Sequence, residues 1–87
     1  MTTYIVSYDL VGNKNYNDLY DELKAKKAWA KITESTWGVV SDESAKELRD
    51  RLLRVMDEDD RLFIVKSGVE AAWSNSKCKN EWLKKWL

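Results

Sequence analysis

The sequence predicts an α+β domain in which four strands form one sheet and two helices cover one side of it. Three observations lead to this fold class: a period-two strand at the start of the chain, two segments with helical spacing of apolar residues, and three further runs rich in β-branched and aromatic residues. Because the chain has 87 residues, we expect residues 1–87 to fold as a single domain.

The first strand is expected from Tyr4 to Leu10, where side chains alternate between two faces. The bulky set, expected to face the helices, is Tyr4, Val6, Tyr8 and Leu10. The sparser set on the other face is Ile5, Ser7 and Asp9. An acid at the end of an apolar strand is either a solvated terminus or a placed functional group, and the residues leave both open for Asp9.

Two segments have the apolar spacing of amphipathic helices. The first follows a loop at 11–14, has Asn15 as its predicted N-cap, and places apolar residues at Tyr16, Leu19, Tyr20 and Leu23. The second begins near Ser44, which has capping-box spacing with Glu47. Its predicted buried stripe is Ala45, Leu48, Leu52, Val55 and Met56.

The remaining segments complete the sheet and a tail. Residues 29–34 and 36–40 are predicted to form a hairpin with its turn at Glu34–Ser35, and the acidic run 57–60 a solvated loop. The unbroken apolar run within 61–68 predicts a strand buried on both faces, in the centre of the sheet. Residues 76–87 predict a short amphipathic helix, more typical of a docked terminal helix than of a nucleic-acid or membrane-binding segment.

This element order predicts the ferredoxin-like βαββαβ fold, a four-stranded antiparallel sheet with two helices on one face, plus a short C-terminal strand or helix tail. The other sheet face would then carry Ile5, Ser7 and Asp9 and be apolar enough to meet a second copy of the chain. We therefore expect a homodimer in which two Asp9 side chains lie close together.

Composition excludes several classes of chemistry. Fifteen acidic residues balance fifteen basic ones, so there is no overall field for nucleic acid or anionic membranes. The absence of His and the single Cys78 exclude Ser/His and Cys/His nucleophiles and zinc sites with the usual ligands. With neither a long apolar run nor a signal peptide expected, and one cysteine, we expect a cytoplasmic protein that does not associate with membranes.

Several stretches together resemble a known family. They are Tyr8-Asp9 at the end of the first strand, Ser35–Val40, Asp59–Leu62 and Glu70–Trp73. Together with the length and element order, they are similar to the second CRISPR-associated (Cas) protein family, and more closely to its small stand-alone relatives in bacteria and phages. The resemblance spans nearly the whole chain.

The resemblance implies a homodimer joined across the open sheet faces, with Asp9 of each subunit holding one Mg²⁺ at the dimer axis. Some family members cleave RNA or DNA phosphodiesters, chemistry that needs carboxylates and no His. Ser35 matches a polar position that the family places near this site. Two departures weaken phosphate binding: Lys14 is the only base soon after Asp9, and Thr33-Glu34 replaces a glutamine-rich segment.

Three functional hypotheses follow. The first is a dimeric, non-catalytic or regulatory binding module, toxin–antitoxin-like or acting between phage and host, whose partner is a protein or nucleic acid. The alternative is a Mg²⁺-dependent endonuclease, with Asp9 as metal ligand, Asp9 and Ser35 as catalytic residues, and Lys14 and Tyr8 in contact with nucleic acid. In the third, Asp9 only solubilises the end of a strand.

Overall fold

The computed structural model describes residues 1–12 and 14–87, so Asn13 of the predicted first loop lies outside the described residues. The elements, in chain order, are β1 (Thr2–Asp9), α1 (Asn17–Lys24), β2 (Ala28–Thr33), β3 (Thr36–Ser41), α2 (Ala45–Leu53), β4 (Arg61–Lys66) and α3 (Asn80–Trp86). All strand pairs are antiparallel and the order across the sheet is β2-β3-β1-β4. The predicted ferredoxin-like α+β fold is confirmed, and its tail contains a helix.

The main core lies between one sheet face and the helices α1 and α2. Tyr4, Val6 and Tyr8 of β1 are buried there, as the alternation predicts. The leucines that pack against them, each fully buried, are Leu19 and Leu23 of α1 and Leu48 and Leu52 of α2. Each buried leucine contributes about 2 kcal/mol relative to an exposed one, so these two pairs hold the helices on the sheet.

The prediction that the last strand lies in the centre of the sheet is wrong. β4 pairs only with β1 and forms one edge, while β1 and β3 are the central strands. Its apolar run alternates between two environments: Leu62 and Ile64 pack on the core, whereas Phe63 and Val65 are 64% and 44% exposed. The unbroken run therefore indicates an edge strand with an apolar outer face, not a strand covered on both sides.

The opposite sheet face is partly covered by the C-terminal segment. Leu83 of α3 is 1% exposed. The Trp82 ring lies directly over Gly38 of β3, where a Cβ atom would come within 2.8 Å of it. The prediction of a docked terminal helix is confirmed, although α3 is shorter than the 76–87 expected. The face expected to be open is thus covered over β2 and β3, while β1 and β4 remain accessible near Asp9.

The two helix starts differ from each other. The predicted capping box of α2 is confirmed, with Ser44 and Glu47 each accepting a hydrogen bond from the other's backbone N–H. The predicted N-cap of α1 is wrong by one residue, since Tyr16 occupies that position without a side-chain cap. The Asn15 side chain instead accepts from the Asn17 backbone N–H at 2.8 Å.

The acidic run 57–60 is more structured than a solvated loop. The Asp60 carboxylate accepts hydrogen bonds from the backbone N–H groups of Val11 and Asp57, both at 2.7 Å, and from the Tyr16 hydroxyl at 2.9 Å. Burial raises the pKa of Asp60, but these hydrogen bonds outweigh it and the pKa is lowered. One carboxylate therefore ties the β1–α1 connection to the α2–β4 connection.

A second network lies at the opposite end of the sheet, around Glu43. Its carboxylate accepts from Lys26 Nζ at 2.8 Å, Ser41 Oγ at 2.9 Å and Arg51 Nε at 2.6 Å. Burial by itself raises the pKa of Glu43, yet these donors lower it to about 2. The network joins the segment after α1, the end of β3, and α2.

No helix in the described residues is long and apolar enough to cross a bilayer.

Candidate functional site

Asp9 lies at the last position of β1, where the sheet face is not covered by α3. Its side chain is 66% exposed, and its Oδ2 atom lies 3.7 Å from Nη1 of Arg61, the residue opposite it on β4. Ser7 and Phe63 form the next opposed pair on the same face. These residues line a shallow cleft of about 240 Å³. The predicted site residue is therefore accessible, but its charge is partly balanced by a neighbouring guanidinium.

Ser35 lies at the same end of the sheet as Asp9. It is in the two-residue turn between β2 and β3, and its backbone carbonyl accepts a hydrogen bond from the Tyr8 N–H at 3.1 Å. The turn therefore continues the β1–β3 pairing next to Asp9. This arrangement explains the position of the Ser35 backbone; the catalytic role of its hydroxyl stays a prediction.

Tyr8 points to the opposite side of the sheet. Its side chain is 5% exposed, and its hydroxyl accepts a hydrogen bond from Nε1 of Trp37 at 2.9 Å. Burial raises the pKa of Tyr8, so the hydroxyl is neutral at physiological pH. This geometry gives Tyr8 a role in the core, and its predicted contact with nucleic acid stays a prediction that the buried position does not favour.

Lys14 is exposed in the connection between β1 and α1. Its Nζ lies 5.7 Å from the centre of the Tyr16 ring, whose hydroxyl is held by Asp60. Lys14 therefore lies beside Tyr16, which is hydrogen-bonded to Asp60. Contact with a phosphate at this position also stays a prediction.

The described residues of one chain do not form a metal site with several protein ligands. Within residues 1–12 and 14–87, no three or more His, Cys, Asp or Glu side chains are grouped so that they could hold a metal ion. Asp9 supplies one carboxylate, and Arg61 competes for it. Because Mg²⁺ needs oxygen ligands in near-octahedral geometry, a site at Asp9 would require further oxygen ligands, from water or from another molecule.

Sequence reasoning missed the surroundings of Asp9. Arg61, Phe63 and Val65 are opposite Asp9, Ser7 and Ile5, so all six share the partly open face. The missed signal was the position of the last strand in a βαββαβ order, where it pairs beside the first strand at an edge. With that topology, alternate residues from Arg61 onward fall beside Asp9.

Comparison with known proteins agrees with this fold. The family model described as CRISPR associated protein Cas2 matches residues 1–74. A solved structure, the hypothetical protein TT1823 from Thermus thermophilus, has the same fold at a TM-score of 0.66 and 21% identity, covering 88% of this chain and 95% of that one. A search among curated proteins found no match. Since the family model spans most of the chain, from β1 through β4, this protein belongs to the Cas2 family.

Proposed function

We propose that this chain is a non-catalytic, homodimeric binding module of the Cas2 family. The observation that carries the proposal is the pair of exposed apolar side chains, Phe63 and Val65, on a strand whose outer edge is unpaired in the described residues. An edge strand with exposed apolar residues is prone to associate with another chain. The accessible β1–β4 half of the sheet face is therefore the proposed self-association surface.

The charges on this surface suit a symmetric contact. Two copies of Asp9 brought together would repel each other, but each has Arg61 beside it. In a twofold arrangement, each Asp9 can pair with either its own Arg61 or that of the second copy. Phe63 at 64% exposure offers the largest apolar area for burial.

The proposal of a non-catalytic role rests on the state of Asp9. Its carboxylate lies beside the Arg61 guanidinium, and the described part of the chain contains no group of three or more His, Cys, Asp or Glu side chains that could hold a metal ion. The zero net charge provides no general attraction for polyanions. A target, protein or nucleic acid, must therefore be recognised by a local surface.

Sedimentation velocity at micromolar concentrations tests the dimer. We expect the wild type to sediment as a dimer and Phe63→Lys to be monomeric, because the substitution places two like charges at the contact. Leu53→Lys is the matched control: Leu53 is 45% exposed, but on α2, and its variant should remain dimeric. The proposal is refuted if the wild type is monomeric at about 100 μM, a concentration roughly tenfold above the dissociation constant of a typical weak dimer. It is also refuted if both variants dissociate equally.

A Mg²⁺-dependent endonuclease is the second candidate, favoured by one observation: Asp9 is exposed on the proposed self-association surface. Incubation with labelled RNA and DNA, in Mg²⁺ and in EDTA, tests it. If the protein is such an endonuclease, we expect EDTA and the Asp9→Asn substitution each to abolish cleavage. The control substitution Asp42→Asn, at an acid whose side chain is 85% exposed, should leave cleavage intact. Equal background cleavage by all three proteins would eliminate it.

A further inference from the structure

β2 forms the edge of the sheet that lies farthest from β4, and it pairs only with β3. Near its C-terminal end this edge is covered by the chain itself, because the Lys77 N–H donates a hydrogen bond to the Ile32 carbonyl at 2.8 Å. The part of β2 before Ile32 has no strand on its outer side among the described residues. The β2 edge is therefore open over most of its length.

The hydrogen-bonding direction of β3 follows from its pairing with β1. The Tyr8 N–H donates to the carbonyl of Ser35, which lies just before β3. In an antiparallel pair, the residues that exchange hydrogen bonds alternate along each strand. The odd-numbered residues of β3 therefore bond to β1, and the even-numbered ones, among them Gly38 and Val40, bond to β2.

The same alternation identifies the residues of β2 whose backbone faces outward. Ala30 and Ala28 lie opposite Gly38 and Val40, so their N–H and carbonyl groups point into the sheet. The backbone groups of the residues that follow each of them then point away from it. These are Trp29 and Lys31, and their two N–H groups and two carbonyls form a ladder of alternating donors and acceptors along the edge.

On the helix-covered side of the sheet, this edge is flanked by an aromatic ring and two ammonium groups. Trp29 is 40% exposed and packs against the buried Trp37, with ring centres 5.5 Å apart. The Lys24 ammonium lies 5.5 Å from the centre of the Trp29 ring. Lys31 lines the same small cavity, which has a volume of about 210 Å³. A strand added here would meet an indole and cations with the side chains on this face.

On the opposite side, the edge is flanked by the segment that leads into α3. Lys77 and Lys79 line a cleft of about 300 Å³ between this segment and β2. Glu34 is shared between two of the flanking lysines, at 3.9 Å from Lys31 and 3.3 Å from Lys77. Lys24 and Lys79 form no ion pair within the described residues. Four lysines thus give the edge an excess of positive charge, although the chain as a whole is neutral.

We propose that the β2 edge binds an extended, acidic segment of a partner protein, which adds to the sheet as a strand beside Trp29 and Lys31. Strand addition pairs the outward N–H and carbonyl groups and places alternate side chains on the two flanks of the edge. Because lysines stand on both flanks, acidic side chains on either face of the added strand find a cation. The edge lies away from β4, so this inference does not rest on the proposed self-association.

Other occupants match the edge less well. A second copy of this chain would bring the same lysines against these, and lysines on an edge strand oppose such pairing. Nucleic acid would use the ammonium groups, but its phosphates and bases do not reproduce the regular spacing of donors and acceptors that a peptide backbone offers to the ladder. Both the ladder and the charge are complemented by an acidic peptide in extended conformation.

Fluorescence anisotropy of a labelled, acetylated octapeptide of alternating glutamate and valine tests the proposal. We expect binding that weakens as the salt concentration rises, because exposed charges contribute to it. The same peptide with every backbone amide N-methylated keeps its charges but loses its donors, and it should bind at least tenfold more weakly. A peptide with glutamine in place of glutamate should also bind at least tenfold more weakly, since it cannot pair with the lysines.

The backbone contact is tested on the protein side at Lys31. Lys31→Pro removes the outward N–H, and an edge strand tolerates proline where its N–H faces solvent. Lys31→Thr is the matched control because it removes the same charge and keeps the N–H. We expect Lys31→Pro to weaken binding at least tenfold, and Lys31→Thr by less than about fivefold, the range of one exposed ion pair. If circular dichroism shows that Lys31→Pro is unfolded, the N-methylated peptide decides the question.

The charge contact is tested with the double substitution Lys77→Glu and Lys79→Glu, which should weaken binding of the octapeptide at least tenfold. The control pair, Lys46→Glu and Arg54→Glu, makes the same charge change at exposed positions in and just after α2. It should alter affinity less than threefold, because neither position adjoins the β2 edge.

The proposal is overturned if the octapeptide does not bind, if N-methylation leaves its affinity unchanged, or if both charge pairs weaken binding equally. It is also overturned if a single-stranded oligothymidylate of equal charge competes as well as the peptide, since binding would then depend on charge alone. Phe63→Lys should bind the octapeptide as the wild type does. Failure of these measurements leaves the sedimentation result unaffected, so the two proposals are separable.

Discussion

The substitution Glu43→Gln should destabilise the protein strongly at neutral pH. It removes one charge from a carboxylate that is 17% exposed and that accepts from Lys26, Ser41 and Arg51. The amide retains one acceptor oxygen but turns two N–H donors toward groups that are themselves donors. The Lys26 side chain, only 8% exposed, then has no anionic partner at that position.

The magnitude follows from the pKa of Glu43. Its ordinary value is 4.5 and its value in the fold is about 2, a difference that corresponds to about 3 kcal/mol of folding free energy. Water screens part of this, since the Arg51 side chain is 50% exposed. The buried ammonium of Lys26 adds to the cost when its partner is lost. We expect the free energy of unfolding to fall by about 2–4 kcal/mol at pH 7.

The pH dependence gives this prediction a distinctive form. A carboxyl whose pKa is lowered by folding stabilises the fold above its unfolded pKa, and the stabilisation is lost as pH falls through the folded value. The difference between wild type and Glu43→Gln should therefore be complete above about pH 5.5, and drop to less than half at pH 3. Urea unfolding monitored by tryptophan fluorescence at both pH values measures it.

The control is Asp50→Asn, which removes one charge from the exposed Arg49–Asp50 pair on α2. Its effect should stay within about 0.5 kcal/mol. The reasoning is refuted if Glu43→Gln costs no more than this control at pH 7, or if its cost is the same at pH 3 as at pH 7.

Three further substitutions test the contacts that hold the fold. Leu83→Ala should lower the free energy of unfolding by about 2–4 kcal/mol because this side chain of α3 is 1% exposed. Lys84→Ala should change it by less than about 0.5 kcal/mol in the same urea titration, and equal effects would mean that α3 is not docked. Tyr8→Phe should cost about 1–3 kcal/mol in thermal unfolding, since it leaves the indole N–H of Trp37 buried without its acceptor, and an unchanged melting temperature would contradict this. Asp60→Asn should lower the free energy of unfolding by about 1–2 kcal/mol at pH 7, and by progressively less below the ordinary pKa of 3.8, because the pKa of Asp60 is lowered in the fold. An effect that is the same from pH 7 to pH 3 would count against the hydrogen bonds to the ionised form.

Local signals in the sequence predicted most of the fold. The capping box at Ser44 and Glu47, the two helical periodicities and the alternation of β1 each depend on residues close together in the chain. The structure confirms them, except that Ala45 of the predicted buried stripe is exposed. Position in the sheet depends on topology instead. The unbroken run after Arg61 fits either a covered central strand or an apolar edge, and only the pairing of β4 with β1 alone decides between them.

The candidate site was less predictable for the same reason. Asp9 was singled out from its own strand, but Arg61 comes beside it only after more than half of the chain has folded between them. Likewise, the contact between Gly38 and Trp82 depends on the path of the tail across the sheet. No spacing within the sequence indicates either pair.

The strand order β2-β3-β1-β4 has a consequence for avidity. Two subunits joined through their β4 sides would place their β2 edges at the far ends of the assembly. A partner with two recognition segments far enough apart to reach both ends would bind at the second edge as an intramolecular event, with an effective concentration set by the length between the segments. Weak binding at one edge would then become strong binding above a threshold length of the partner, and a monomeric variant would show no such threshold.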